Sequence, residues 1–162
     1  MLVVVVIVSI LATFATLSIG NRALDDRMEV ESKRLYQILR LASDEAETKG
    51  LEIGFLTDAT GYQFLTRDES GEWVAYVEAS PLRARNLPDP FVLELRIEDR
   101  PVTPAQKQNG KSKKLKPQAL LLSSGEATAF TLDIRAPGYA PHYRLEATAL
   151  GQFTMTRIEQ GS

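Results

Sequence analysis

Few side chains in this sequence are suited to catalysis or to metal binding. The chain contains no cysteine, and His142 is its only histidine. These two facts exclude disulfide frameworks, thiolate metal sites, cysteine nucleophiles and multi-histidine metal sites. The stretch Ser123-Ser124-Gly125 lacks the Gly-x-Ser-x-Gly pattern of a nucleophile elbow, and His142 alone cannot act as a base without an orienting partner. We therefore expect a protein that is not an enzyme and that needs no cofactor, with His142 at the edge of a strand.

Carboxylates cluster at two places that could suggest a metal site or a basic partner. Asp44, Glu45 and Glu47 lie near the end of a predicted helix, where the helix dipole disfavours negative charge. The stretch Asp68–Glu72 lacks the alternating oxygen ligands and the distal glutamate of an EF-hand loop. We interpret the first cluster as a solvated face, with contact to a basic neighbour as the functional alternative. The second cluster is typical of a plain turn, and no metal is expected.

A basic segment, Asp99–Pro117, differs in composition from the rest of the chain. It has three prolines, six basic residues and one acidic residue, so it carries +5 within a chain of net charge −2. Its composition favours a mobile loop through which no strand runs. The loop could simply be solvated, or it could contact an acidic partner or lipid headgroups; nucleic acid is disfavoured because no aromatic residue is interleaved for stacking. The residues proposed for partner contact are Lys111, Lys113, Lys114 and Lys116.

The first twenty residues contain no charged side chain. Nineteen helical residues rise about 28 Å, which is close to the thickness of the bilayer's hydrocarbon core. We expect residues 1–20 to form a membrane-inserting helix, with an uncleaved signal peptide as the alternative. Its small and β-branched residues would permit close packing with similar helices. The membrane and assembly residues are Leu2, Val4, Val5, Ile7, Val8, Leu11, Phe14 and Leu17.

Residues 21–49 continue the same helix in amphipathic form. Their apolar positions recur at spacings of three, four or seven, which places them on one face, and charged residues lie between them. Lys49-Gly50 supplies a stop signal, with a cation in the last turn and a glycine suited to a left-handed cap. We expect this stripe to pack on a sheet through Leu24, Met28, Leu35, Ile38, Leu39 and Ala42.

After Gly50 the apolar period changes to two, which predicts antiparallel strands with one face toward a core. Turn sequences such as Asp58-Ala-Thr-Gly61 separate the apolar runs. The predicted fold class is therefore α+β: a long N-terminal helix packed on antiparallel β-sheets of about seven or eight strands. We divide the chain into residues 1–20, residues 21–49 and a β-rich domain over residues 50–162.

These elements together resemble the type IV pilin-like proteins, and most closely the minor pseudopilin H family of type II secretion systems, the GspH family. The opening MLVVVVIVSIL is similar to the residues that follow the prepilin motif G-F-T-L-I-E. The runs ALLLSSGEATAFTLDIR and ALGQFTMTRI resemble the two glycine-centred strand pairs of the family. The motif G-F-T-L-I-E itself does not occur, so the family's peptidase site, methylated phenylalanine and assembly glutamate are assigned to no residue. We expect either a trimmed chain or a start assigned at Met1.

The resemblance implies a structural subunit of the secretion pseudopilus, at its tip or in its initiation complex. It implies an anchor in the bacterial inner membrane, a periplasmic β domain, and other major and minor pseudopilins as partners, with prepilin peptidase as a processing enzyme. The alternative is a minor pilin of type IV pili, similar to FimT, that binds DNA for uptake.

Overall fold

A computed structural model describes the backbone of residues 2–76, 81–105 and 115–159, and the side chains of the same ranges from residue 21 onward. Within these ranges, one helix precedes ten strands. Their bounds are α1 Leu2–Lys49, β1 Ile53–Thr57, β2 Gly61–Arg67, β3 Trp73–Ala75, β4 Arg85–Asn86, β5 Val92–Ile97, β6 Arg100–Pro101, β7 Ala119–Leu121, β8 Phe130–Ala136, β9 Tyr139–Ala147 and β10 Phe153–Ile158.

Helix α1 ends in a glycine cap. Gly50 has a φ of 65°, a left-handed conformation that costs a glycine little. The N–H of Leu51 donates to the carbonyl of Ala46 at 2.9 Å, and the N–H of Gly50 donates to the carbonyl of Glu47 at 3.4 Å. This pair of bonds is a Schellman motif, and it satisfies carbonyls that the last turn leaves unpaired.

The strands form two antiparallel sheets of five strands each. The first sheet has the order β3-β2-β1-β7, with β4 also paired to β2, and the second has the order β10-β9-β8-β5-β6. We refer to them as sheet 1 and sheet 2. The α+β class agrees with the sequence prediction, but the prediction of about seven or eight strands is wrong. The two strands that it missed, β4 and β6, are two residues long and carry no periodic signal.

Strand β6 also corrects the prediction that no strand enters the basic segment. Arg96 of β5 pairs with Pro101, and Ile97 pairs with Arg100. Proline is tolerated here because β6 is the edge strand of sheet 2, where an outward-facing N–H has no ladder partner to lose. Beyond β6, the N–H of Val102 donates to the carbonyl of Leu95 at 2.9 Å, so the chain stays attached to the sheet.

The core lies between α1 and the two sheets. Met28, Leu35, Leu39 and Ala42 of the helix are fully buried, and Leu24 and Ile38 are partly buried against the same core. The rings of Phe55 in sheet 1 and Phe130 in sheet 2 stack with their centroids 6.0 Å apart, which joins the two sheets.

The predicted membrane segment, residues 1–20, lies outside the residues whose side chains are described. Over the remaining described residues, no helix has the length and apolar character that a membrane crossing requires.

Candidate assembly surfaces

Two ion pairs hold the amphipathic part of α1 against the strands. Arg157 of β10 contacts Asp25, with Nη2 3.0 Å from Oδ2. Arg85 of β4 donates through Nη2 to both carboxylate oxygens of Glu31, at 3.1 and 3.2 Å. The periodicity of the sequence contains no signal for either pair, because the partners lie far apart along the chain. These contacts fix the helix relative to β4 on one side and β10 on the other.

The acidic cluster at the end of α1 is only partly a solvated face. Glu45 accepts hydrogen bonds from Lys49 Nζ at 2.6 Å and from the hydroxyl of Tyr76, which is buried. Burial alone would raise the pKa of Glu45, but the hydrogen bonds from Lys49 and Tyr76 outweigh it and lower the pKa below its ordinary value. Glu45 therefore anchors the segment that follows β3 to the helix.

Two turns meet beside the same helix end. Gly125, with a φ of 83°, lies in the turn before β8, and Gly151, with a φ of 71°, lies in the turn between β9 and β10. A Cβ atom on Gly151 would lie 2.0 Å from the carbonyl oxygen of Gly125, and one on Gly125 would lie 3.1 Å from a carboxylate oxygen of Glu47. Gly151 is required by close backbone approach as well as by its φ, whereas Gly125 is favoured chiefly by its φ, because only the flexible side chain of Glu47 lies near it. The sequence suggested two glycine-centred strand pairs but not their contact.

A pocket of about 360 Å³ opens between the helix and the second of these turns. Its lining is mostly polar and comprises Tyr36, Arg40, Ser43, Asp44, Glu47, Gly151, Gln152 and Phe153. The hydroxyl of Tyr36 donates to the carbonyl of Phe153 at 3.4 Å, and the guanidinium of Arg40 lies 5.9 Å from the centroid of the Tyr36 ring. We call this surface the helix–turn pocket.

A buried ionic cluster lies on the outward face of sheet 2. Asp133 has no exposed side-chain surface, and Arg144 binds its two oxygens through Nε at 2.8 Å and Nη2 at 3.0 Å. The hydrogen bond to Asp133 raises the pKa of Arg144 above its ordinary value. Arg135 contacts the same carboxylate at 3.7 Å and Glu94 at 3.2 Å. A buried carboxylate with these partners is satisfied, so the cluster is a structural element of the sheet.

The position of His142 differs from the prediction of a strand-edge residue. It lies in β9, an interior strand of sheet 2, and only 1% of its surface is exposed. Its Nε2 is 3.3 Å from Nη2 of Arg135, and its Nδ1 is 3.3 Å from the carbonyl of Ala140. Because a guanidinium only donates, Nε2 must accept and Nδ1 must carry the proton. His142 is therefore a member of the cluster, joined to Arg135 through Nε2 and to the Ala140 carbonyl through Nδ1.

On the outward face of sheet 1, Trp73 reaches across β2 toward β1. A Cβ on Gly54 would lie 3.2 Å from the Trp73 ring and 2.6 Å from Cβ of Pro117. Arg67 stacks on Trp73 at 4.6 Å from the ring centroid and pairs with Glu52 at 2.8 Å. The last residues of the basic segment therefore lie against sheet 1.

The residues proposed for partner contact are only partly placed. Lys116 is exposed, whereas Lys111, Lys113 and Lys114 lie outside the described residues. The carboxylate of Asp68 accepts hydrogen bonds from the N–H groups of Ser70 and Glu72, both at 2.9 Å. The acidic stretch Asp68–Glu72 is therefore a turn that is closed by the side chain of its first residue. Within residues 21–76, 81–105 and 115–159, no three histidine or carboxylate side chains are grouped so that they could hold a metal ion.

This architecture, one long N-terminal helix laid against two antiparallel sheets, is that of a pilin-like subunit. It is similar to the minor pseudopilin EpsH from the type 2 secretion system of Vibrio cholerae, with a TM-score of 0.67, 24% identity, and coverage of 80% of this chain and 94% of that one. It is also similar to the solution structure of Escherichia coli GspH, with a TM-score of 0.63, 19% identity, and coverage of 82% and 89%.

The family model for type II transport protein GspH matches residues 31–151, and the chain belongs to this family. Two relatives are both named type II secretion system protein H. The relative from Pseudomonas aeruginosa is 29% identical, over 98% of this chain and 91% of its own length. The relative from Aeromonas hydrophila is 26% identical, over 82% and 75%.

Proposed function

We propose that this chain is a minor pseudopilin, a structural subunit of the type II secretion pseudopilus that supports protein export across the outer membrane. The observation that carries the proposal is the family match over residues 31–151, which covers residues 31–49 of α1 and strands of both sheets. A position at the tip or in the initiation complex is part of the proposal. Other pseudopilins, major and minor, are its partners.

The composition of the sequence suggests a separate role for each of the three parts of the chain. Residues 1–20 anchor the chain in the inner membrane as a single pass and later bundle with the helices of neighbouring subunits. Residues 21–49 continue the helix. Residues 50–162 form a periplasmic domain that carries the basic segment. A helix with no charged face is stable in lipid or among similar helices, and exchange between the two replaces one set of apolar contacts by another. The family resemblance adds inner-membrane lipid, and prepilin peptidase with its methylation step, to the proposed partners.

The proposal is tested by deleting the gene in the bacterium that encodes the chain. We expect exported proteins to accumulate in the periplasm, and the full chain to restore their export. Normal export by the deletion strain would contradict the proposal. The DNA-uptake alternative predicts retention of duplex DNA that weakens steeply with salt, which a filter-binding assay on the full chain measures.

Membrane anchoring has its own test. The full chain should sediment with inner membranes, and a version that begins at Asp25 should stay in the soluble fraction with a β-rich circular dichroism spectrum. Aggregation of the shorter version without that spectrum would contradict the division at residue 20.

A further inference from the structure

The two edges of sheet 2 are built differently. The edge strand β6 is two residues long and contains Pro101, two features that discourage pairing with another chain. The opposite edge strand, β10, is six residues long and contains no proline. An edge strand of this kind offers its outward N–H and C=O groups to an added strand.

The register identifies the outward groups of β10. The N–H of Thr148 donates to the carbonyl of Gln152 at 2.9 Å, which makes these two residues a hydrogen-bonded pair. Since such pairs alternate along an antiparallel ladder, the backbone groups of Phe153, Met155 and Arg157 point away from β9. Tyr36 donates to the carbonyl of Phe153. Among the described residues, the N–H groups of Met155 and Arg157 have no acceptor.

Helix α1 runs beside this edge in the opposite direction. Asp25 contacts Arg157 near the end of β10, and Tyr36 contacts Phe153 at its beginning. The helix–turn pocket continues the same line past Phe153 toward Glu47. A strand added to β10 would therefore extend toward the pocket.

The charges in the pocket indicate what the added segment carries there. Arg40, Asp44 and Glu47 line the pocket, which gives it one more negative than positive charge. Arg40 is stacked on Tyr36, and neither Asp44 nor Glu47 has an ion-pair partner within the described parts of the chain. A lysine or arginine side chain would supply that partner.

We propose that β10 receives an added β-strand from a neighbouring pilin-like subunit, and that a basic side chain next to that strand enters the helix–turn pocket. The inference rests on the proposed function, because the partner belongs to the same assembly. Backbone hydrogen bonds to Met155 and Arg157 would supply the attachment, and Asp44 and Glu47 would select the register.

Photo-crosslinking in cells that contain the intact secretion apparatus tests the proposal. The full chain carries p-benzoylphenylalanine at Thr156, which is exposed on β10, or at Glu94, which is exposed on the same face of sheet 2 three strands away. We expect an adduct with another pilin-like protein from Thr156 and none from Glu94. Peptide mapping should place the adduct in an extended segment that contains a basic residue.

Edge variants separate strand addition from side-chain contact. Met155→Pro removes an outward N–H without removing a bond to β9, whereas Met155→Ala keeps that N–H and removes the side chain. We expect Met155→Pro to abolish the Thr156 adduct and Met155→Ala to retain it. Melting temperatures measured in detergent should show that both variants fold. Retention in both variants, or an adduct formed by a second copy of this chain, would overturn the proposal.

Pocket variants test the basic side chain. Asp44→Lys and Glu47→Lys should each reduce the adduct about tenfold, the loss expected for one charge-assisted contact. Gln37→Lys, which adds the same charge at an exposed helix position outside the pocket, should leave it unchanged. Equal yields in all three variants would overturn the pocket assignment. The gene deletion reports separately on the proposed function, since export can depend on the chain even if no strand is added to β10.

Discussion

The side-chain amide of Gln118 pairs with the backbone of Thr57 as a neighbouring strand would. Its Oε1 accepts from the N–H of Thr57 at 2.8 Å, and its Nε2 donates to the carbonyl of Thr57 at 3.3 Å and to that of Thr103 at 3.1 Å. The N–H of Ala105 donates to the same Thr57 carbonyl at 2.9 Å. Gln118 thus joins both ends of the basic segment to the end of β1.

Replacing Gln118 by alanine should destabilise the fold by about 1–3 kcal/mol, because it leaves partly buried backbone groups unpaired. Urea unfolding measures the change. Gln37→Ala, at an exposed helix position, is the control and should stay within about 0.5 kcal/mol of the parent. Equal stability of the two variants would show that water replaces the amide of Gln118 without loss.

Gly54→Ala should destabilise the fold by about 1–3 kcal/mol through overpacking, since the new Cβ would lie 2.6 Å from Cβ of Pro117. Pro117→Ala leaves that Cβ in place but removes the ring atom at 3.2 Å and lets the chain shift. The double variant should therefore cost less than the sum of the single variants. Strict additivity in thermal unfolding would contradict a direct contact.

The turn between β5 and β6 is strained. Glu98 and Asp99 have φ values of 51° and 60°, the pattern of a type I′ turn that favours Asn-Gly. Replacing the pair by Asn-Gly should stabilise the fold by about 1 kcal/mol, measured by the midpoint of urea unfolding. The same replacement at Glu69-Ser70, where φ is not positive, is the control and should give no gain.

Glu45 should contribute to the pH dependence of stability. Its pKa is lowered in the folded state from the ordinary value of 4.5, so its contribution is present above about that pH and is lost as the pH falls through the folded-state pKa. The stability difference between the parent and Glu45→Gln should therefore shrink as the pH is lowered from 7 to 3 in urea unfolding. Tyr76→Phe should weaken the same dependence. A difference that is independent of pH would show that the carboxylate charge is not involved.

His142 should occur as the Nδ1-protonated tautomer at neutral pH, because Nε2 accepts from Arg135. Long-range NMR correlations between the ring nitrogens and the carbon-bound ring protons distinguish the two tautomers. In Arg135→Ala the constraint on the ring is removed, and the tautomer should become mixed. An Nε2-protonated ring in the parent would contradict the geometry of the cluster.

The predictable parts of the fold are those with a repeated signal. The stripe of α1 and the strands β5, β8 and β9 alternate or recur over many residues, so their apolar faces are visible in the sequence. Gln118 sits alone between Pro117 and Ala119, and nothing in its neighbours indicates that it binds Thr57. The burial of Asp133 and His142 could not be predicted either. The alternating pattern predicts that both side chains face solvent, and only the folded structure shows that Arg135 and Arg144 cover them. The assignment of His142 to a strand edge failed because β9 begins at Tyr139 and lies between β8 and β10.

The contact between Gly125 and Gly151 also bears on how sequences of this kind can diverge. Any side chain on Gly151 would collide with the Gly125 carbonyl, at 2.0 Å from the Cβ. Neither turn can lengthen or shift unless the other moves with it. Gly151 should therefore be retained whichever residue occupies position 125, because the carbonyl that its Cβ would meet belongs to the backbone, and insertions should accumulate in turns that face only water.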